Sequence, residues 1–193
     1  MSNLFTTGQV QSLCLNGHPI LNGHLVEKIQ FQFTGPRGDV HSGLSRILSG
    51  HDGEYMRTSR LQKGAEVFNW RSWTGLSCEE ISEVEQKIGV IIPQGCLLEN
   101  LVLSGIPNFS QLAPTTRLVF PQKEDGSQVI LAVWEENSPC KGVGDRLQKQ
   151  YGIEGLSKRF IAAAQGKRGV MGLVLSEGFV ELEDRVGVYP PVQ

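Results

Sequence analysis

The sequence lacks both a charge excess of either sign and any long hydrophobic run. Its 193 residues include 18 Lys and Arg against 20 Asp and Glu, a net charge of −2. This balance gives no general attraction to nucleic acid or to an anionic membrane. No apolar run approaches the ~20 residues of a membrane helix, and the first residues lack the basic and apolar regions of a signal peptide. We therefore expect a cytoplasmic protein without a nucleic-acid or membrane partner, in which any anion site is local.

Closely spaced cysteines are also missing. The four cysteines are scattered, and no two have C-x-x-C spacing: Cys14, Cys78, Cys96 and Cys140. A chain of this length can build its core without disulfide bonds. We therefore expect four free thiols in a reducing compartment. No flavin, haem or iron–sulfur motif is present.

Length and composition predict one domain over residues 1–193, because the 39% hydrophobic and 20% charged content is typical of a globular domain. Two helices are predicted, one capped by Ser77 and ended by Gly89, the other over 156–165. Between Gly35 and Gly64 periodicity disappears, which indicates a long structured loop. The predicted strands cover 29–33, 65–71, 94–103, 117–120, 129–134, 169–175, 179–182 and 185–189.

The order of these elements predicts the fold class. Strands do not alternate regularly with helices, which disfavours a doubly wound α/β sheet. Many short strands with a few helices favour a mainly β (α+β) fold. We predict a closed or nearly closed β-barrel carrying helical insertions.

Cys140 is the first candidate functional residue. It follows a predicted strand within Glu-Asn-Ser-Pro-Cys-Lys-Gly-Val-Gly (136–144). A thiol beside a lysine and two flexible glycines can be exposed and electropositive, which makes thiolate available. A buried structural cysteine at a strand end is the equally favoured alternative.

Polar residues at two other places could contribute. Asp39 and His41 lie two residues apart in the glycine-rich loop, so in extended backbone they would share one side and act as acid and base. A turn aspartate beside a surface histidine is the alternative. Asn100 follows Glu99 in an otherwise apolar run, where it could bind the edge of a heterocycle or meet solvent at a bulge.

Lys167 and Arg168 form a basic pair after the second predicted helix. Arginine suits bidentate phosphate recognition. Basic residues at a helix end also compensate the helix dipole, which is the commoner reason for them there.

Taken in order, these segments resemble a free-standing, bacterial-type member of the MOSC family, the domain at the C-terminus of molybdenum cofactor sulfurases. The resemblance covers about residues 25–193. It rests on Gly-Asp-Val-His (38–41), Leu-Glu-Asn-Leu-Val-Leu-Ser-Gly-Ile-Pro (98–107), Leu-Ala-Pro-Thr-Thr-Arg-Leu-Val-Phe (112–120), Val-Trp-Glu-Glu-Asn-Ser-Pro-Cys (133–140) and Ala-Ala-Gln-Gly-Lys-Arg-Gly-Val (163–170).

The resemblance implies a β-barrel-like fold and a molybdenum–molybdopterin cofactor. Cys140 lies at the family's metal-ligand or sulfur-carrier position, and further recurrent positions match Asp39, His41, Asn100 and Arg168. Pyridoxal phosphate is also associated with the family, but it belongs to a separate desulfurase domain, for which 193 residues leave no room. Where the family often has an arginine between aspartate and histidine, this chain has Val40. Another cation must then hold the cofactor phosphate, or cofactor affinity falls.

The leading hypothesis is a module that binds the molybdenum cofactor or carries sulfur during its sulfuration or transfer. Cys140 would ligate molybdenum or carry a persulfide, with a cysteine desulfurase or a molybdoenzyme as partner. Arg168 with Lys167 would hold the phosphate, and Asn100, Asp39 and His41 would orient the pterin and exchange protons. The alternatives are a molybdenum-dependent reductase of N-hydroxylated compounds with a separate electron donor, and a hydrolase using Cys140 and His41.

Overall fold

A computed structural model describes residues 4–17 and 22–191. Its helices are α1 Gly53–Ser59, α2 Cys78–Ile88, α3 Lys141–Tyr151 and α4 Leu156–Ala164, with 3-10 turns at Gly50–Asp52 and Phe109–Gln111. Its strands are β1 Thr6–Leu15, β2 His24–Val26, β3 Lys28–Gln32, β4 Gly35–Pro36, β5 Ser45–Ile47, β6 Glu66–Phe68, β7 Trp73–Ser77, β8 Leu101–Ser104, β9 Arg117–Gln122, β10 Gln128–Glu136, β11 Val170–Ser176, β12 Gly178–Glu181 and β13 Arg185–Tyr189. None of the helices in the described ranges has the length and apolar character needed to span a membrane.

Seven strands close into a mixed barrel in the order β13-β9-β10-β11-β7-β8-β1, and β13 pairs with β1 to complete it. The β7–β8 pair is parallel, and the other neighbours around the barrel are antiparallel. β2 extends the sheet from β1, while β12-β3-β4 and β5-β6 form two smaller sheets. The closed barrel with helical insertions predicted from the sequence is confirmed.

Two apolar cores hold the molecule together. The first fills the barrel and is built from inward-facing strand residues and large aromatic side chains such as Trp73, Phe31 and Phe109. The second lies where α2, α3 and α4 cover the barrel wall, and it includes Leu147 and Phe160. Each such side chain contributes about 1.5–3 kcal/mol when fully buried. The second core also fixes the start of α3, where Cys140 lies.

Local sequence signals explain α2 well. Ser77 accepts a hydrogen bond from Glu80 N at 3.3 Å, and Gly89 ends the helix in the left-handed region with φ 77°. This is the cap and stop that the sequence predicts. α4 likewise ends at Ala164, one residue before its predicted end.

Other predicted elements differ from the structure. The strand predicted over 94–103 begins only at Leu101, because Gly95 and Leu98 have φ values of 77° and 57°, which no strand accommodates. The segment 35–64 is not one loop, since it contains β4, β5 and α1. β1 and α3 were not predicted. Gly144 suggested flexibility, yet it is the close-approach point between α3 and α4, where an added Cβ would lie 2.7 Å from Ser157 Oγ.

A buried carboxylate anchors the insertion that contains β5 and α1. Asp52 Oδ1 accepts from Arg46 Nη2 at 2.6 Å and lies 3.1 Å from Arg71 Nη1, and Asp52 Oδ2 accepts from Ser49 N at 2.8 Å. Burial raises the pKa of Asp52, but the hydrogen bonds from Arg46 and Ser49 and the charge of Arg71 outweigh burial and lower the pKa to about 2. The negative charge of this carboxylate therefore stabilises the folded state.

We expect Asp52→Asn to lower the free energy of unfolding by about 2 kcal/mol at neutral pH. A depressed folded-state pKa contributes stability above the unfolded pKa near 4 and loses it as the pH falls towards 2. The variant should therefore show a flatter loss of stability over that interval, measured by urea unfolding at several pH values. Glu154→Gln, an exposed carboxylate, is the matched control. An unchanged acid profile in Asp52→Asn would contradict the role given to this residue.

Candidate functional site

Asp39 is the centre of a buried hydrogen-bond network. Its Oδ2 accepts from Asn16 N at 2.9 Å, from Asn16 Nδ2 at 2.8 Å and from Asn100 Nδ2 at 2.8 Å. Its Oδ1 accepts from His41 N at 2.8 Å and lies 3.0 Å from His41 Nδ1. The structure thus brings three of the sequence-predicted residues together, Asp39, His41 and Asn100. It does so through a turn at 38–41, rather than the extended backbone expected.

This network determines which ring nitrogen of His41 carries the proton. Burial raises the pKa of Asp39, but hydrogen bonds from His41 and Asn16 outweigh burial and hold the pKa below its usual value. Asp39 therefore stays ionised and favours the tautomer in which Nδ1 of His41 carries the proton. Nε2 is then the acceptor of a ring whose side chain is 40% exposed. The pair can orient a ligand or accept a proton.

The amide of Asn100 is occupied by protein partners. Its Oδ1 accepts from Thr74 N at 3.0 Å, and its Nδ2 donates to Asp39 and, at 3.3 Å, to Cys14 O. Asn100 is 2% exposed. Asn100 directly precedes β8, and these contacts connect it with β7, with β1 and with the turn at 38–41. Asn100 thus positions Asp39 from inside the fold.

Cys140 lies at the N-cap of α3 in extended conformation, and its thiol makes no cap hydrogen bond. It is half-buried and contacts the helical core. Strand pairing brings Glu136 opposite Val170, and Asn137 N donates to Gly169 O at 2.9 Å. The segment before Cys140 therefore runs beside the one that contains Arg168.

Two arginines donate hydrogen bonds to consecutive backbone carbonyl groups in the region of this cysteine. Arg146 Nη2 donates to Cys96 O at 2.7 Å, and Arg168 Nη2 donates to Leu97 O. Arg168 is 5% exposed. Nε and Nη1 of both side chains are buried and have no hydrogen-bond partner in the described part of the chain. The two guanidinium groups therefore present four unused donor atoms in one region.

The charges around Arg168 show which groups share this region. Burial lowers the pKa of Arg168, while the charges of Glu99, Cys140 and Cys96 oppose that effect. Glu99 is 2% exposed, and its Oε2 has no hydrogen-bond partner among the described residues. Buried Arg168, half-buried Arg146 and buried Glu99 thus share this region, and the sulfur of Cys140 lies close enough to act electrostatically on Arg168.

Lys167 has different surroundings from its neighbour. It forms an ion pair with Glu83 of α2 and lines a cavity of about 420 Å³ beside α2. Arg168 instead contacts the 96–97 segment. The two residues predicted as a phosphate-binding pair therefore have separate partners in the structure.

The segment 96–100 connects the Asp39 network with the region of Arg146 and Arg168. Its first two carbonyls bind Arg146 and Arg168. Leu98 O accepts from Asn16 Nδ2 at 3.2 Å, and Asn100 binds Asp39. Sequence reasoning missed Arg146, whose only sequence signal is its place in the amphipathic helix that follows Cys140.

Burial predicts the order of reactivity of the thiols. Burial, with the charge of Glu99, raises the pKa of Cys14 to about 12, and burial also raises the pKa of Cys96. Cys78 is half-buried, but burial and the charge of Glu79 raise its pKa. We therefore expect Cys140 to be alkylated first in the folded protein, as measured by timed labelling with peptide mass spectrometry. Faster labelling of any other thiol would contradict this order.

The fold and this site define a class: a small closed mixed barrel with a cysteine at the start of an added helix and a buried arginine, Arg168, in the adjacent segment. The MOSC domain family model matches residues 71–187, which include Asn100, Cys140, Arg146 and Arg168. YuaD of Bacillus subtilis (strain 168), named as a candidate metal-sulfur cluster biosynthesis protein, is 31% identical over 167 residues, covering 85% of this chain and 81% of YuaD. The chain belongs to the MOSC domain family.

Solved structures agree with this assignment. The crystal structure of YuaD from Bacillus subtilis superposes with a TM-score of 0.85 at 28% identity, covering 96% of this chain and 97% of that chain. YiiM from Geobacillus stearothermophilus superposes with a TM-score of 0.58 at 15% identity, covering 94% of this chain and 74% of that chain. The second likeness shows the shared fold alone.

Proposed function

We propose that this MOSC protein binds the molybdenum cofactor or carries sulfur for it, with Cys140 as the thiol that ligates molybdenum or holds the sulfur. The observation that carries the proposal is the pair of guanidinium groups of Arg146 and Arg168 in the region of Cys140, with four buried donor atoms that no described residue uses. Buried donors without partners are costly, so such a pair fits an anionic group. The name of YuaD, which refers to metal-sulfur cluster biosynthesis, supports a sulfur-handling role.

Arg146 is better placed than Lys167 to act with Arg168 in binding an anionic group. Lys167 is engaged by Glu83, whereas Arg146 and Arg168 lie on adjacent carbonyls. Val40 stands where the family often has an arginine between the aspartate and the histidine. We assign the role of the second cation to Arg146 instead. When bound, the cofactor would supply a metal for which the thiolate of Cys140 is a soft ligand. Asp39 would orient the imidazole of His41, which would accept a proton at Nε2.

A hydrolase that pairs Cys140 with His41 has less support. Such a mechanism needs the two side chains within hydrogen-bond reach. Asp39 could orient His41 through Nδ1 in such a mechanism, but no hydrogen bond joins Cys140 to His41 within residues 4–17 and 22–191. The arginines beside Cys140 are also unnecessary for such a reaction.

The test is composition of the purified protein. The full chain is produced in a molybdenum-replete host able to make the cofactor, and molybdenum, pterin and cyanide-labile sulfur are measured per chain. We expect molybdenum with pterin, or labile sulfur on Cys140, at a substantial fraction of one per chain. Absence of all three from the wild-type protein would overturn the proposal. If molybdenum is found, an assay with an N-hydroxylated substrate and an artificial electron donor tests for reductase activity.

A further inference from the structure

A cavity of about 270 Å³ is bounded by α2, the segment 91–99 and β8. The described residues that line it do not include Cys140, Arg146 or Arg168. Most of its wall is apolar and comes from six residues: Ile81, Ile91, Ile92, Pro93, Leu97 and Val102. Its volume is close to the lower limit of about 300 Å³ for small-molecule pockets. The cavity is therefore large enough for a ligand with a small apolar body.

A buried carboxylate interrupts this apolar wall. Glu99 lines the cavity and is 2% exposed. Its Oε1 accepts from Gly95 N at 2.5 Å, whereas Oε2 is buried and has no hydrogen-bond partner in the described part of the chain. The charge of Glu99 acts on Arg168, but none of the ion pairs among the described residues joins Glu99 to an arginine. A buried charged oxygen without a partner is costly, so this atom is available to a ligand.

The charged groups that line the cavity are all acidic. Glu85 is the second carboxylate. It is half-buried, and its Oε1 accepts from Ile92 N at 2.6 Å. No lysine, arginine or histidine is among the described residues of the lining. Two carboxylates in an apolar wall complement a ligand that carries positive charge on an apolar body.

An inorganic divalent cation fits this lining poorly. Such an ion takes about six oxygen ligands. Within residues 4–17 and 22–191, no group of three or more His, Cys, Asp or Glu side chains could hold a metal ion. The complementary ligand is therefore organic.

We propose that this cavity binds a small organic cation, whose protonated nitrogen donates a hydrogen bond to Oε2 of Glu99. The apolar body of the ligand would contact Ile92, Leu97 and Val102, which are buried, while exposed Ile91 marks the mouth of the cavity. The proposal goes beyond the proposed function, because it concerns a site that the cysteine and the two arginines do not line.

The experiment compares three probes that share a phenyl ring and differ in charge: benzylamine, benzyl alcohol and benzoate. Their affinities for the full chain are measured at pH 7 by ligand-observed NMR titration. We expect benzylamine to bind about tenfold more tightly than benzyl alcohol, or better, and benzoate to bind weakest. Glu99→Gln keeps the size of the side chain and should remove the preference for benzylamine. Glu154→Gln, an exposed carboxylate outside the cavity, is the matched control and should keep it.

Cys78 shows where the probe binds, because it lines the cavity and is half-buried. Bound benzylamine should slow the alkylation of Cys78 by iodoacetamide and leave that of Cys140 unchanged, as measured by peptide mass spectrometry. Benzyl alcohol at the same concentration should protect Cys78 less.

Three results would overturn the proposal: equal affinity of the wild type for benzylamine and benzyl alcohol, protection of Cys140 in place of Cys78, or an undiminished preference in folded Glu99→Gln. If Glu99→Gln does not fold, the half-buried Glu85 carries the test, since Glu85→Gln should weaken the preference for benzylamine. The proposed function fails separately, by absence of molybdenum and labile sulfur from cofactor-competent preparations.

Discussion

Cys140→Ser is expected to abolish cofactor retention or sulfur loading while leaving the fold nearly intact. Serine keeps the size of the side chain but removes the soft, ionisable sulfur that both roles require. Because Cys140 is half-buried and caps α3 without a side-chain hydrogen bond, the free energy of unfolding should change by less than about 1 kcal/mol. Molybdenum and labile sulfur per chain, measured with urea unfolding on the same preparation, test both parts.

Cys78→Ser is the matched control, since Cys78 is also half-buried and also lies at the start of a helix. It should keep the wild-type content of molybdenum and sulfur. If Cys140→Ser instead unfolds the protein, Cys140 is a structural cysteine at a strand end. If the variant keeps full content, the functional thiol must be sought elsewhere.

Asp39→Asn should cause the largest loss of stability. The carboxylate accepts from Asn16, His41 and Asn100 in a fully buried position. An amide has one oxygen in place of two, so it cannot accept all of these bonds. Its NH2 group would face donors that now bind a carboxylate oxygen. Unpaired buried groups and loss of a buried charge together cost about 3–5 kcal/mol. Urea unfolding at neutral pH measures the loss.

His41→Ala provides the comparison within the same network. It removes the ring contact but leaves the backbone bond from His41 N, so we expect a loss of about 1 kcal/mol. A change below 1 kcal/mol in Asp39→Asn would mean that water or rearrangement replaces the network. Equal losses in the two variants would place the energy in the turn rather than in the buried carboxylate.

The sequence predicts the elements whose signals are local. The Ser77 cap, the Gly89 stop and the alternating strands are all set by neighbours in the chain, and together they favour the closed barrel. β1 escaped prediction because its apolar residues follow no clean alternation: its last buried residues, up to Cys14, are consecutive. α3 escaped because Gly142 and Gly144 lower helix propensity, and the packing against α4 that requires Gly144 is a tertiary contact.

The candidate site shows the same limit. The spacing of Asp39 and His41 predicted that they share one side of an extended backbone, whereas a turn brings them into contact. Arg146 and Arg168 meet at consecutive carbonyls that lie 50 and 71 residues away in the chain. Such meetings depend on the barrel and its helical cover, and no local pattern marks them.

The β1–β13 pairing ties barrel closure to the order of synthesis. Thr6 lies opposite Val188 and Gln9 opposite Arg185, so the contact that seals the barrel joins two of the most distant strands in the chain. During translation β1 must wait, with one edge unpaired, until β13 has left the ribosome. The helices α2, α3 and α4 precede β13 and can gather beforehand, so the region around Cys140 can take shape while the barrel is still open. The unpaired edge of β1 is therefore a site at which the nascent chain is exposed to aggregation until β13 pairs with it.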